Sequence, residues 1–106
     1  MAATLLAIFK RPEGGEDAMD EFMTRYLDEH MPLIEMVPGL RSSVVERVAH
    51  HYSGDDLVVV TRMEFDDRAA LDAGMASEEM RVAGRNLREI APGMLTLVAL
   101  EEESVS

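Results

Sequence analysis

Hydrophobic and polar positions change their period several times along the chain, and these changes predict both strands and helices. Short apolar runs typical of β-strands lie at Thr4–Phe9, Leu40–His50, Leu57–Phe65 and Met94–Leu100. Residues 53–56 (SGDD), between the second and third runs, have the composition of a hairpin loop. The sequence therefore predicts four strands, the middle two of which pair antiparallel.

Helical periodicity fills the interval between the first two strands. Apolar residues recur there at the spacing of one helical face, at Met19, Phe22, Met23, Tyr26, Leu27 and His30. We expect Asp17 to cap this helix, and we expect Pro32 to end it near His30, because the residue before a proline avoids helical geometry. A short further helical turn is predicted over Leu33–Met36.

The interval after the third strand contains two helix starts. Asp66 or Asp67 can cap a first helix, and Ser77 can cap a second that stops at residues 92–93 (PG). The apolar positions of these two segments are Ala69, Ala70, Leu71, Met75, Met80, Ala83, Leu87 and Ile90.

The resulting βαββαβ order predicts an α+β, ferredoxin-like fold. Both helical segments then cover one face of a four-stranded antiparallel sheet, because crossover connections are right-handed. The first strand, however, places Leu5 and Ala7 on one side and Leu6 and Ile8 on the other, so both faces are apolar. Since the chain has no further helix to cover the second face, we expect a homodimer that pairs through it.

Length and composition narrow the function classes. The 106 residues predict a single domain, residues 1–106, of which about 101–106 (EEESVS) form a flexible acidic tail. A net charge of −11 argues against nucleic acid and anionic membranes as partners. No apolar run is long enough to cross a bilayer, so we expect a cytoplasmic protein. Without cysteine there is no thiolate nucleophile and no sulfur-type zinc site.

The three histidines are the first candidates for proton transfer near neutral pH. His50 and His51 are adjacent at the end of a strand, where their side chains point to opposite faces, so we interpret them as rim residues. His30 continues an inward helical face. It is either a residue that caps the last carbonyls of the helix or a general acid/base, with Tyr26 one turn earlier.

Charged residues on the strands allow two interpretations. Arg62 and Glu64 lie on one face of the third strand, where cross-strand ion pairs explain them as well as substrate contacts do. The motifs that bind dinucleotides, phosphates or catalytic zinc are absent from the sequence. We therefore expect no metal and no cofactor.

Two segments resemble a known family. Residues 26–33 (YLDEHMPL) and 37–41 (VPGLR) are similar to the H-x-P-L and P-G-L elements of the EthD-like family, in the dimeric α/β-barrel superfamily. The likeness continues in residues 64–66 (EFD), in residues 75–79 (MASEE) and in the final strand. It implies a barrel-like homodimer with a pocket either between each sheet and its helices or near the shared interior.

The resemblance also implies an activity. Relatives suggest a cofactor-independent enzyme that oxygenates, isomerises or cyclises a small aromatic or polyketide-like substrate. His30 matches the family's histidine and is the expected general acid/base, with Tyr26 orienting the substrate. The expected substrate contacts are Phe22, Met23, Leu33 and Arg62. A non-catalytic ligand-binding or stress-related accessory dimer, or a structural dimer in a larger assembly, remain alternatives.

Overall fold

The computed structural model describes residues 2–103 and confirms the ferredoxin-like order of elements. A π-helical turn, here called the π turn, joins two of the helices. The elements are β1 (Ala3–Lys10), α1 (Gly15–Arg25), the π turn (Tyr26–His30), α2 (Met31–Ile34), β2 (Leu40–Arg47), β3 (Leu57–Phe65), α3 (Arg68–Met75), α4 (Glu78–Ile90) and β4 (Leu95–Leu100). Residues 104–106, the end of the predicted acidic tail, lie outside the described residues.

The four strands form one antiparallel sheet in the order β2-β3-β1-β4. Ala7 lies opposite Thr61 of β3 and Leu97 of β4, and residues that oppose each other point to the same face. Along β1, buried side chains alternate with half-buried ones. The helices therefore cover one face, which we call the helix-side face.

The other face of the sheet, here called the open face, has no covering element within residues 2–103. Its apolar side chains are Leu6, Ile8, Val44, Val60, Val98 and Leu100. Val44 is 50% exposed and Val98 is 38% exposed. The predicted apolar character of both faces is confirmed.

An aromatic cluster holds α1 against the sheet. The ring of Phe9 on β1 lies 5.4 Å from that of Phe22 and 5.0 Å from that of Tyr26, in tilted and edge-on arrangements. All three residues are almost fully buried. This packing fixes the end of α1, and with it the start of the π turn.

The boundaries of the first helical segment differ from the prediction. Gly14, with φ 111°, precedes the helix in place of the predicted cap Asp17, which lies in the first turn, where a carboxylate favours the helix dipole. Met31 is helical (φ −62°, ψ −37°) although Pro32 follows it. Pro32 occupies the first turn of α2, where a missing N–H is tolerated, so the helix continues.

The π turn also changes which residues face inward. The N–H of Met31 bonds to the carbonyl of Tyr26, five residues back, so this turn holds one residue more than an α-helical turn. Leu27, predicted to face inward, is 48% exposed, whereas Tyr26 and His30 are buried.

Two predicted helix caps are confirmed, whereas the second strand is shorter than predicted. Asp67 and Ser77 cap α3 and α4, accepting bonds from the N–H groups of Ala70 and Met80. β2 ends at Arg47 and not at His50, because only the N–H of Val48 still bonds across to β3. Among the described residues, no helix has the length and apolar character needed to cross a membrane.

Candidate functional site

A cleft of about 540 Å³ lies between the helix-side face of the sheet and α4. Its floor is apolar and comes from three strands, and its walls come from the π turn and α4. The floor residues are Leu5, Ala7, Phe9, Met63, Leu95 and Leu97. The cleft is of the size that small-molecule sites have in proteins.

The cleft exists because α4 packs on neighbouring helical elements more than on the sheet. The partners of α4 are the π turn, α2 and α3. Gly84, in the middle of α4, lines the cleft and contributes no side chain to fill it. Leu95 and Leu97 of β4 consequently remain 38% and 39% exposed although they lie on the helix-side face.

The π turn directs two aromatic residues into this cleft. Tyr26 and His30 stand at its two ends and stack with their ring centroids 5.2 Å apart and their planes 23° from parallel. His30 is only 3% exposed, and burial lowers its pKa below the ordinary 6.5, while bonds with Asn86 and the Ala83 carbonyl raise it in part. His30 is therefore neutral at pH 7.

A chain of hydrogen bonds determines which nitrogen of His30 carries its proton. Oδ1 of Asn86, on α4, lies 3.2 Å from Nδ1 of His30. Nδ2 of Asn86 donates to Oε1 of Glu29 at 3.3 Å. Glu29 in turn accepts from Arg25 at 2.8 and 3.1 Å, which lowers the pKa of its carboxyl group.

The orientation of this chain follows from donor and acceptor chemistry. An ionised carboxylate can only accept, so the amide nitrogen of Asn86 must face Glu29 and its oxygen must face His30. Nδ1 therefore carries the proton. Nε2 then keeps its lone pair and bonds to no side chain among the described residues, and the His30 ring lines the cleft.

Tyr26 presents its ring to the cleft and its hydroxyl to the sheet. The hydroxyl lies 2.5 Å from Oγ1 of Thr61, a fully buried residue on the helix-side face of β3. Burial raises the pKa of Tyr26 to about 12, and the bond with Thr61 opposes that shift. Tyr26 is therefore a neutral phenol at pH 7 and does not compete with His30 as a base.

The structure brings together His30 and Tyr26 but not the four expected substrate contacts. Phe22 and Met23 are buried in the core behind the π turn, and Leu33 is half-buried against the same core. Arg62 lies on the open face, opposite the cleft. A contact between Arg62 and a substrate stays a prediction. It would require a substrate bound between the open faces of two subunits.

Several residues of the site were not predicted from the sequence. They are Thr61, Asn86, Gly84, Arg81 and Arg88, of which the last three line the cleft. A sequence signal existed for Thr61, which is a polar residue at an inward position of an apolar strand. Asn86 gave a similar signal, because it lies one helical turn after the buried Ala83.

The other two histidines lie far from this cleft, in the loop after β2. His51 Nε2 bonds to the carbonyl of Leu57 at 2.7 Å, and the exposed His50 ring meets Tyr52 edge-on at 4.8 Å. Within residues 2–103 no three histidine, aspartate or glutamate side chains converge as metal ligands.

No protein-family model and no curated protein sequence matches the chain. Among solved structures, it is 31% identical to an ethyl tert-butyl ether D (EthD) family protein from Bacillus halodurans, over 97% of this chain and 100% of that one, with a TM-score of 0.83. A dimeric ferredoxin-like protein of unknown function from Jannaschia is 26% identical, over 96% and 100% of the two chains, with a TM-score of 0.67. A Dabb family protein with a ferredoxin-like fold from Mesorhizobium loti is 12% identical, over 98% and 100%, with a TM-score of 0.74, a likeness of fold alone.

Proposed function

Because the chain belongs to the EthD family, we propose that it is an enzyme in which His30 moves a proton of a small molecule bound in the cleft. The substrate is a small aromatic or polyketide-like compound, and its oxygenation by dissolved dioxygen, its isomerisation or its cyclisation requires no cofactor. One observation carries the proposal. A neutral histidine whose Nδ1 proton is directed at Asn86 lines a cleft with an apolar floor.

The three reaction types have a proton-transfer step in common. Nε2 of His30 accepts a proton from an acidic C–H or O–H group of the substrate, and the resulting carbanion or phenolate is the reactive species. The oxygen of Asn86 stabilises the imidazolium that forms, and the ring face of Tyr26 stacks on it. His30 can return the proton at another atom, as isomerisation and cyclisation both require.

The apolar surroundings favour this chemistry. Met63, Met75 and Met80 line the cleft beside aliphatic side chains, and methionine adapts its shape to an irregular ligand. Low polarity in the cleft strengthens the interaction between His30 and the acidic group of a bound substrate. Both features suit a planar, apolar molecule better than a sugar or a phosphate.

We further infer that the working unit is a homodimer formed through the open face. Three structural neighbours are described as dimeric, and the open face of this chain carries six apolar side chains without cover in residues 2–103. Pairing of two such faces gives the barrel that the family resemblance implied. The cleft lies on the opposite face of the sheet, so each subunit retains its own.

The proposal is tested by proton exchange, which requires no knowledge of the natural substrate. The protein is incubated in D₂O under air with a panel of phenols, lactones and poly-β-ketones, and NMR follows deuterium incorporation and product formation. We expect exchange with at least one compound, a loss of 100-fold or more in His30→Gln, as is typical of a general base, and no change in His51→Gln.

Two results would contradict the proposal. Undiminished exchange in His30→Gln would remove that residue from the chemistry. Binding of a panel compound without exchange or product would favour the non-catalytic, ligand-binding alternative. Thermal melts of both variants provide the control for folding.

A further inference from the structure

Arg88 is a cation in the cleft without a carboxylate partner among the described residues. Five other arginines form ion pairs with acidic side chains, namely Arg11, Arg25, Arg41, Arg68 and Arg81. The chain carries 21 acidic residues and ten basic ones, so carboxylates that could pair with an arginine are in excess. Of the four arginines that form no ion pair in the described chain, which are Arg47, Arg62, Arg85 and Arg88, Arg88 is the one that lines the cleft.

The guanidinium of Arg88 lies along the wall of the cleft, above Gly84. Its Nη1 is 3.7 Å from the point where a Cβ of residue 84 would stand. The other charged groups on this wall, Arg81 and Glu78, form an ion pair with each other. With His30 neutral, Arg88 leaves one uncompensated positive charge on the cleft of a protein whose net charge is −11.

We propose that Arg88 binds the acidic group of the ligand. The cleft then takes an apolar molecule that carries one carboxylate, phenolate or enolate, with its body on the floor of leucine, alanine and methionine and its anionic group at the guanidinium. This inference rests on the proposed function, since it requires that the cleft binds a small molecule. It adds to the proposed function that the bound molecule carries a negative charge.

Two fluorescent probes with the same aromatic body separate charge from hydrophobicity. 1-Anilinonaphthalene-8-sulfonate is anionic, and N-phenyl-1-naphthylamine is its neutral counterpart. Titrations compare the unmodified protein with Arg88→Gln and with Arg85→Gln. Arg85 is a matched control, because it is exposed on the same helix, lies outside the cleft and forms no ion pair within the described chain.

We expect the ratio of anionic to neutral probe affinity to fall about three- to tenfold in Arg88→Gln and to stay within about twofold of the unmodified value in Arg85→Gln. The affinity for the neutral probe should not change. An equal fall in both variants would mean a general charge effect and would overturn the inference, as would an unchanged ratio in Arg88→Gln. Either result leaves the proposed function intact if the neutral probe binds. If neither probe binds the unmodified protein, both proposals fail.

Discussion

At His30, burial and hydrogen bonding act on the pKa in opposite directions, and burial has the larger effect. Asn86, Glu29 and Arg25 form a chain of hydrogen bonds that begins at Nδ1 of the ring. The nearest ionised group along this chain is the Glu29 carboxylate, separated from the imidazole by the amide of Asn86. Because folding favours the neutral form of His30, protonation at lower pH reduces the stability of the folded protein.

We predict that His30 makes the protein less stable in mild acid. Because the folded pKa lies below the unfolded value of 6.5, the unfolded chain binds the proton more tightly. Stability is therefore retained above about pH 6.5 and lost as the pH falls from there towards the folded pKa, by at most about 1.4 kcal/mol per pH unit. Urea denaturation between pH 7.5 and 5 should show this loss in the unmodified protein and in His51→Gln, and a smaller loss in His30→Gln. Equal slopes in all three would contradict a lowered pKa.

Sequence periodicity located the two central residues of the candidate site but not their partners. Tyr26 and His30 were predicted because they belong to one helical stripe. That same stripe includes Phe22 and Met23, which are buried in the core, since periodicity identifies inward positions without distinguishing core from cleft. Asn86 meets His30 across 56 residues of sequence, a contact that only the tertiary fold creates.

At the scale of elements, the strands and the helix caps were predictable and the π turn was not. β3 runs from Leu57 to Phe65 as predicted, because its apolar run and its turn residues point to the same ends. The rule that Pro32 ends a helix failed, because the π turn changes the hydrogen-bond pattern just before the proline. No local composition signals such a turn, so the sequence did not predict it.

Gly84 offers a test of how much stability α4 loses by having a glycine beside the cleft. In Gly84→Ala, the new Cβ would meet only the flexible end of Arg88, at 3.7 Å, so we predict a gain of about 0.5–1 kcal/mol in the free energy of unfolding. Gly74→Ala in α3 is the matched contrast. Its Cβ would lie 2.8 Å from the ring of Phe65, and overpacking should destabilise the protein by about 1–3 kcal/mol. Urea denaturation measures both, and a loss of stability in Gly84→Ala would show that the cleft there has no room.

At the scale of the whole molecule, the chain is a flat slab. The principal extents are 40, 38 and 19 Å, and the radius of gyration is 14.3 Å, against about 13 Å for a compact chain of this length. One layer of sheet and one of helices account for the short dimension. A second copy on the open face would restore the compactness and bury the apolar side chains that the single chain exposes.

We predict that Val98→Asp converts a dimer into a monomer. Val98 is 38% exposed on the open face, so a carboxylate there would be buried without a partner at the proposed interface. Leu97→Asp, one residue earlier on β4 and pointing to the cleft, is the control and should remain dimeric. Sedimentation velocity at micromolar concentration measures both. An unmodified protein that sediments as a monomer would contradict the shared barrel.

The π turn ties the candidate chemistry to chain length as well as to residue type. A turn with one surplus residue corresponds to the insertion of a single codon into the gene. Loss of that codon would return the segment to regular α-helix without altering any other residue. Because the wide turn absorbs the surplus residue, the helix after the deletion would keep its orientation relative to α1. Deletion of one of residues 27–29 would instead bring Tyr26 and His30 one position closer along the chain, so the spacing of this stacked pair depends on the number of residues in the π turn.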